Sequence, residues 1–398
     1  MTNGRIFYAC QAVLVKERNT QTGDDAPTTG TYLNGVSSIG INGNFPSESL
    51  LDVGRFQRRF HFYAPQTFEV TIERVIEQTS DFFYHVDPSD YTGGKTGYEN
   101  THILNAKNIG SQGEVDSDTK ALKNYDITVL YGADEVDLID DNTEALKVVT
   151  YRNCLVTNIS YSMGADPGAA VTETITLITR SADYTTSSAS SFTLPSSAES
   201  GNIIKRSDFD LLSAGSNSIL PTEVTTMFDL SDTLDSKKIL SINNVEINVA
   251  IDYTEVSDIG RWRGTIDQGL QNLWRYVVLP VQVTCSFTGT ARQAFPQDIP
   301  NTDTTFSSAN GATGSKKWHE VDRQIRLVAE KFPSAPTTTF FVWDLGNKNY
   351  LTDISFTGGD TGGGNLETTM SYQNDRSDIV LVKDTSVRNL TTLRDFVY

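Results

Sequence analysis

The sequence predicts a mainly β protein built from two tandem copies of one antiparallel β domain, with a few short helices. One observation behind this prediction is that apolar and polar residues alternate over short segments, as at 68–72, 127–130 and 245–249. Such runs, bounded by Thr, Ser, Gly, Asn and Asp, are typical of half-buried antiparallel strands. The other observation is an internal repeat, and a repeat is stronger evidence for the architecture than any single motif.

Two anchor segments in each half define the repeat. Residues 35–56 (GVSSIGINGNFPSESLLDVGRF) align with residues 241–262 (SINNVEINVAIDYTEVSDIGRW) at an offset of 206 positions. Near the end of each half, residues 155–168 (LVTNISYSMGADPG) align with residues 350–363 (YLTDISFTGGDTGG). Alternating strands resemble one another by chance, but two separate anchors in the same order favour a true repeat. The sequence therefore predicts two copies of one β domain.

Further segments keep the same order in both halves. Each second anchor is followed by a strand-like segment that begins with Glu-Thr, at Glu173 in the first half and at Glu367 in the second. Glu173 and Glu367 are thereby predicted to occupy equivalent positions. The segments aligned between the anchors are 70–71 with 283–284 and 127–130 with 325–328.

A Ser-rich stretch marks the boundary between the copies. Residues 184–202 contain many serines and one proline, a composition that does not form a packed element by itself. We therefore predict a first domain over 1–185, a linker over 186–204 and a second domain over 205–398. The alternative is that this stretch is a surface loop of one larger domain.

Few helices are expected. Residues 266–277 could form a short helix, while the apolar spacing over 316–332 suits a helix as well as a strand. The repeat favours a strand over 323–329, because the aligned segment of the first half is strand-like. Polar loops over about 79–120 and 292–317 interrupt both halves at the same place. Loops of this length are commonly functional, and we expect them to be contact arms between subunits or rings.

Charge and composition exclude several classes of partner. The 398 residues include 32 Lys and Arg against 50 Asp and Glu, which gives a formal net charge of −18. A chain this acidic is a poor candidate for binding nucleic acid or an anionic membrane, since such binding needs clustered cations. No apolar run reaches the roughly 18 residues of a spanning helix, so no membrane anchor is expected. The three cysteines, Cys10, Cys154 and Cys285, have strand-like neighbours that predict buried thiols rather than a disulfide scaffold.

No motif for catalysis, for a metal or for an organic cofactor is found in the sequence. None of the four histidines has a second His or Cys at metal-ligand spacing, and no G-x-S-x-G elbow or phosphate-binding P-loop occurs. The Gly-rich stretches at 311–317 and 358–364 are typical of turns. The acidic run at 134–141 lacks the spacing of an EF-hand, so a solvated loop is favoured over a calcium site. We therefore expect a protein that is not an enzyme and needs no cofactor.

One charged motif occurs in both copies. Asp52 and Arg55, like Asp258 and Arg261, stand three residues apart beside a Gly. A carboxylate and a guanidinium at this spacing can form a charge-assisted pair that fixes a turn. Because the motif is repeated, a structural or inter-subunit role is favoured over a catalytic or ligand-binding one. The predicted structural and assembly residues are these four together with Glu173 and Glu367.

The hairpin at 155–177 resembles the tail tube proteins of tailed bacteriophages, in which a similar hairpin carries a turn and then a T-E-T-I-T-L-like strand. The hairpin at 350–372 is a degraded version, in which Met370 replaces Ile175. The resemblance implies a two-sheet β-sandwich or barrel whose subunits join their inner sheets into a ring around a channel, with a long loop that contacts the adjacent ring. Baseplate hub proteins of this lineage use a duplicated tube domain, so that three chains form a six-fold-like ring. Type VI secretion tube proteins share the single-domain version.

The resemblance implies a virion structural protein of the tail tube or the tube-baseplate hub, present as a trimeric ring of double domains or as a hexamer. Its implied partners are further copies of itself, sheath, terminator or baseplate proteins, and DNA that passes without tight binding. Its implied location is the phage tail, after assembly in the host cytoplasm. The alternative is a β-rich recognition or decoration module, such as a fibre, glycan-binding or capsid-associated protein. Its stacking platform would draw on Tyr84, Trp262, Trp274, Tyr276 and Trp318.

Overall fold

The structure is a computed structural model. It describes residues 11–18, 31–33, 35–51, 58–63, 66–76, 82, 101–103, 124–131, 147–164, 171–185, 224–229, 237–239, 242–256, 274–290, 304–307, 313–316, 324–331, 338–345, 349–358, 367–374 and 380–382. Nearly all of these residues lie in β-strands, and each strand pairing among them is antiparallel. The predicted mainly β class is confirmed.

The described strands number eleven in each half of the chain. Those of the first half are β1 (Gln11–Arg18), β2 (Thr31–Tyr32), β3 (Val36–Asn44), β4 (Ser47–Leu51), β5 (Arg58–Tyr63), β6 (Thr67–Val75), β7 (Thr101–Ile103), β8 (Asn124–Tyr131), β9 (Lys147–Gly164), β10 (Thr172–Thr179) and β11 (Ser181–Thr185). Those of the second half are β12 (Val224–Asp229), β13 (Lys237–Ile239), β14 (Ile242–Val256), β15 (Trp274–Thr290), β16 (Thr304–Ser307), β17 (Thr313–Lys316), β18 (Gln324–Lys331), β19 (Thr338–Asp344), β20 (Asn349–Thr357), β21 (Glu367–Asn374) and β22 (Val380–Val382).

Eight strands follow one another across the main sheet in the order β3-β6-β10-β9-β14-β15-β21-β20. The first four come from the first half of the chain and the last four from the second half. The halves meet where β9 pairs with β14, from Asn158 opposite Ala250 to Gly164 opposite Asn244. We call this pairing the internal joint. Because the joint is a regular antiparallel ladder, the two halves form one continuous sheet.

The two four-stranded parts of this sheet have the same order, with β3, β6, β10 and β9 matched by β14, β15, β21 and β20. The register also matches, because both first strands carry a β-bulge at the same place. The bulge lies between Val36 and Ser38 in β3, and between Ile242 and Asn244 in β14. Bulges pin the register of a strand pair, so they relate β3 to β14 by the 206-residue offset found in the sequence.

A second bulge is shared by the last strand of each part. Thr157 of β9 and Thr352 of β20 are the extra residues in their ladders. The hydroxyl of Thr157 donates a hydrogen bond to the carbonyl of Thr176 at 3.1 Å, and that of Thr352 donates to the carbonyl of Ser371 at 3.0 Å. The same side chain therefore stabilises the same irregularity in both halves, as the alignment of 155–168 with 350–363 predicts.

Apart from two separate hairpins, β4–β5 and β16–β17, the remaining strands form a second ladder in each half, again in matching order. In the first half the order is β2-β1-β8-β9, with β11 on the far side of β9. In the second half the order is β13-β12-β18-β19-β22, with β7 added at the end. β9 takes part in both ladders of the first half because it is 18 residues long and bends at Asn153, whose φ is 56°. The Asn153 amide donates to the buried Asp126 carboxylate at 2.8 Å, which holds this bend in place.

The apolar sides of these ladders enclose one core. β6 contributes Phe68, Val70 and Ile72 at alternate positions, so the period of two seen in the sequence places them on one side. Trp343 of β19 lies with its ring centroid 6.0 Å from that of Tyr161, which belongs to the internal joint. Both side chains are fully buried, so the joint is held by packing as well as by its ladder.

Two uncertain segments can be assigned from the structure. Residues 324–331 form β18, so the strand prediction over 323–329 is confirmed there. The helix prediction over 266–277 is wrong at 274–277, which begin β15, while 266–273 lie outside the described residues. Trp274 pairs with Val256 of β14, and this tertiary ladder overrides the local amphipathic pattern.

The linker over 186–204 and most of the two polar loops lie outside the described residues. Within the first loop, β7 pairs with β22 of the second half, from Thr101 opposite Val382 to Ile103 opposite Val380. Within the second loop, β16 and β17 form a short hairpin. The first loop therefore reaches from one half of the chain to a strand of the other.

The cysteine prediction is confirmed for two of the three residues, since Cys154 and Cys285 are free and buried. Burial raises the pKa of the Cys285 thiol well above its ordinary value. Cys10 lies outside the described residues. Among the residues that the structure describes, no helix has the length and apolar character needed to cross a membrane.

Candidate functional site

One side of the eight-stranded sheet faces solvent and is polar across its width. Alternate residues of each strand point to this side, and cross-strand pairing keeps them in rows. We call this surface the polar face. Its hydroxyl and amide residues include Asn42, Thr71, Thr174, Ser160, Asn248, Thr284, Ser371 and Ser355.

The charges on the polar face all have one sign. Its six carboxylates are exposed, and none of the described side chains on this face is basic. A phosphate backbone near such a surface meets repulsion and hydroxyl groups instead of cations. The six carboxylates belong to Glu69, Glu73, Glu246, Asp252, Asp353 and Glu367.

Hydrogen bonds between neighbouring strands order the polar face. The Ser38 hydroxyl donates to Glu73 Oε2 at 3.0 Å, and the Thr288 and Thr369 hydroxyls lie 3.0 Å apart. The described part of the face contains no His, Lys or Cys that could serve as a base or nucleophile beside these groups.

Glu173, which the sequence singled out, lies on the opposite, buried side of the sheet. Its Oε2 is 3.6 Å from Arg74 Nη1 on the neighbouring strand, and both side chains are fully buried. The same carboxylate accepts a hydrogen bond from the Phe82 amide, at 3.0 Å to Oε2. Phe82 in turn packs edge-on against Tyr125, with ring centroids 5.4 Å apart. Glu173 therefore links β6, β10 and the chain that follows β6.

Glu367 is not the counterpart of Glu173, so the predicted equivalence is wrong by one residue. Glu173 pairs with Tyr161, and Thr368 pairs with Phe356, the residue that corresponds to Tyr161. Because side chains alternate along a strand, a shift of one residue moves a side chain to the other side of the sheet. Glu367 is accordingly exposed on the polar face, while Thr368 is buried.

The ladders also correct the alignment of 70–71 with 283–284. Val70 pairs with Ile41, and Cys285 pairs with Ile247, the counterpart of Ile41. Val70 therefore corresponds to Cys285, two residues beyond the predicted Val283. A shift of two residues keeps each side chain on its side of the sheet, so the predicted burial of this strand is unaffected.

Arg74 is the structural residue that sequence reasoning missed. In the alternating segment TFEVTIERV it occupies an inward position in line with Phe68, Val70 and Ile72. A cation at an inward position needs a buried partner, which is the signal that could have identified it. In the second half, the ladders put Gly289 in the place of Arg74, opposite Thr368. The buried ion pair thus belongs to the first half among the described residues.

The remaining predicted residues cannot be placed. Asp52, Arg55, Asp258 and Arg261 all lie outside the described residues. The five aromatic residues proposed for a stacking platform likewise have no described side chain. Among the described residues, no group of three or more His, Cys, Asp or Glu side chains could hold a metal ion.

A cluster of tyrosines lies away from the polar face, on β8, β9 and β11. Burial, together with the nearby Tyr184 and Tyr131, raises the pKa of Tyr151 far above its ordinary value. Burial likewise raises the pKa of Tyr131. The phenols of Tyr151 and Tyr131 are therefore neutral at physiological pH.

The two outer strands of the sheet, β3 and β20, each have one partner among the described residues. β3 pairs with β6, and β20 pairs with β21. A free edge presents unpaired amide and carbonyl groups to solvent, where another strand can add. Large apolar side chains are exposed on both strands, with Ile41 on β3 38% exposed and Phe356 on β20 44% exposed. The candidate functional site is therefore the polar face together with these two edges.

The fold resembles parts of three solved particle structures. It is similar to a chain of the anti-feeding prophage baseplate (TM-score 0.29, 9% identity, covering 40% of this chain and 93% of that chain). It is similar to a chain of the sheath-tube complex of the extracellular contractile injection system PVC (0.27, 12%, 40% and 88%) and to one of a native gene transfer agent virion (0.23, 11%, 38% and 91%). These TM-scores are too low to carry a functional inference. No family model and no curated protein matches the sequence.

Proposed function

We propose that this protein is a ring-forming structural component of a phage tail or tail-like particle, in the tail tube or at its junction with the baseplate, and that it has no catalytic role. The observation that carries the proposal is the internal joint. Two parts with the same strand order and the same bulges are already joined edge to edge in one chain. Further copies added by the same operation would continue the sheet and close it into a ring.

Tandem duplication of one tube-like domain accounts for this arrangement. The matching order extends from the main sheet to the second ladder, where β8 corresponds to β18 as the sequence alignment requires. The hairpin at 155–177, which resembles that of phage tail tube proteins, contains β9, one of the two strands that form the joint. The strand order of this chain and the sequence resemblance of its hairpin therefore both involve β9.

Ring size follows from strand spacing. Three chains would supply three sets of eight strands, and strands about 4.8 Å apart would then enclose a circle roughly 37 Å across between backbones. Two chains would enclose roughly 24 Å, most of which inward side chains would fill. We therefore favour three chains and a bore that admits duplex DNA.

The polar face is the lining of this channel. Its carboxylates and hydroxyls keep DNA hydrated and repel its phosphates, so that DNA slides without sticking. Sheath, terminator or baseplate proteins would contact the outer ladders and the loops. The Asp52–Arg55 and Asp258–Arg261 pairs would fix equivalent turns beside the sheet. Assembly would occur in the host cytoplasm, and the finished location would be the tail.

Electron microscopy of the purified protein tests this function. We expect rings or stacked rings with an open bore and a six-fold-like outline, and native mass spectrometry should give the mass of three chains. A protein that stays monomeric at high concentration, with or without a bound glycan, would contradict the proposal and favour a recognition module.

A further inference from the structure

We infer that β20 of one chain pairs with β3 of the next in a register copied from the internal joint, with Phe356 opposite Ile41. This inference rests on the proposed ring and names the contact that closes it. The occupant of each free edge is a second copy of this chain.

The register follows from the two offsets that relate the halves. β14 corresponds to β3 with an offset of 206, and β9 corresponds to β20 with an offset of 195, both fixed by shared bulges. At the internal joint, Ile247 pairs with Tyr161 and Asn248 pairs with Ser160. Applying the offsets turns these pairs into Ile41 with Phe356 and Asn42 with Ser355.

Exposure of the apolar residues supports this register. Ile247 and Tyr161 are both fully buried at the internal joint. Their counterparts, Ile41 and Phe356, are two of the four large hydrophobic residues exposed in the described part of the chain. The same positions are thus apolar in both halves, but they are covered only where a partner strand is present. Monomers seldom leave such apolar patches uncovered without an interaction that uses them.

The bulges frame the paired segments in the same way. In the internal joint, the paired segment of β14 begins at Asn244, directly after its bulge, and the paired segment of β9 begins at Asn158, directly after the bulge at Thr157. In the inferred joint, the paired segment of β3 would likewise begin after its bulge at 36–38, and that of β20 would begin after the bulge at Thr352. No two like charges would face each other, because β3 carries no charged residue and Asp353 would lie opposite Asn44.

The joint is heterologous, because β3 and β20 are different surfaces. Heterologous contacts generate closed rings when the rotation closes, whereas pairing of β3 with β3 would stop at a dimer. Because the register of this joint is specified residue by residue, it also predicts which cysteine pairs cross-link between chains and which do not.

Cysteine cross-linking tests the inferred joint. In a Cys10→Ser background, Asn42→Cys combined with Ser355→Cys should give disulfide-linked dimers and trimers under mild oxidation. The matched control is Asn248→Cys with Ser160→Cys, the same pair at the internal joint, which should close within one chain and leave the mass monomeric. The register control is Asn42→Cys with Phe356→Cys, whose side chains point to opposite sides and should link poorly.

The outcomes separate the joint from the proposed function. Rings in micrographs without the Asn42–Ser355 cross-link, or with equally strong links from Asn42→Cys alone, would overturn the inferred register while leaving the ring intact. Cross-linked chains that form open filaments would keep the joint and contradict the ring. A monomer that neither cross-links nor forms rings would overturn both.

A second measurement does not depend on cysteine chemistry. Ile41→Asp and Phe356→Asp should each raise the concentration needed for assembly by about tenfold or more, while the melting temperature of the isolated chain stays near that of the parent. Thr284→Asp, an exposed position in the interior of the same sheet, is the control and should assemble normally. Equal assembly of all three variants would contradict the inferred joint.

Discussion

Arg74 and Glu173 form a fully buried ion pair beside the apolar core. Two fully buried charges 3.6 Å apart cost desolvation, which their attraction and the Phe82 amide hydrogen bond offset. The second half builds the same strands with Gly289 and Thr368 in these places. The pair is therefore not a requirement of the fold, and in the first half it holds the segment at Phe82 against β6 and β10.

Glu173→Gln should destabilise the protein by about 3–5 kcal/mol, because it leaves a buried guanidinium without its carboxylate. The glutamine oxygen can still accept from the Phe82 amide, so the change isolates the charge. Denaturant unfolding measures the effect. Glu367→Gln is the matched control on an exposed position and should change stability by less than about 0.5 kcal/mol. Equal effects of the two substitutions would show that Glu173 does not hold a structural charge.

At the scale of elements, β7 bridges the two halves. It belongs to the long loop of the first half, yet it extends the ladder of the second half through β22. This contact lies within one chain, and contacts of the loops between subunits or rings stay a prediction. In a ring, the hairpin β16–β17 in the second loop would be placed to make the corresponding contact with the following chain.

Deletion of residues 88–118 should leave a folded chain that assembles poorly. The deletion removes the three residues of β7, which pair with β22, while the main sheet keeps all its ladders. Circular dichroism reports folding, and electron microscopy reports ring formation. Deletion of 134–141, an acidic stretch of another loop, is the control and should assemble normally. Normal rings from the 88–118 deletion would remove the assembly role of this loop.

The whole molecule separates its charges from its contacts. Its net charge is −18, and the exposed carboxylates described on the eight-stranded sheet lie on one face. The opposite side packs the core, β3 carries no charged residue, and Asp353 is the charged residue of β20. A ring of such chains would keep the acidic groups around the bore and leave the joints free of repulsion.

Reversing charge on the polar face should turn a passive channel into one that retains DNA. Rings of the parent should not hold a short duplex, whereas Glu246→Lys combined with Glu69→Lys should bind it in a salt-dependent manner. Electrophoretic mobility of the duplex at several salt concentrations measures this. Glu246→Gln with Glu69→Gln removes charge without adding cations and should not retain DNA. Retention by the parent would contradict the channel role of this face.

The class of fold can be predicted from the sequence, because a period of two in polarity leaves few alternatives to antiparallel strands. It also indicated the repeat, since equivalent strands keep similar apolar patterns and bulge residues such as Thr157 and Thr352. It misplaced Glu367 by one residue and the counterpart of Val70 by two. Similar strands align almost equally well at neighbouring registers, and hydrogen-bonded ladders are needed to choose between them.

The way in which the two halves meet is seen in the folded chain alone. Nothing local in β9 or β14 states that these strands pair with each other, because edge pairing depends on backbone groups that every strand presents. The partner of Arg74 is likewise not evident from the local sequence, because it lies 99 positions away on β10. The exposure of Ile41 and Phe356 gains its meaning from the structure, in which their counterparts Ile247 and Tyr161 are buried. Pairing between distant segments is a property of the folded chain, and the proposed ring depends on this pairing.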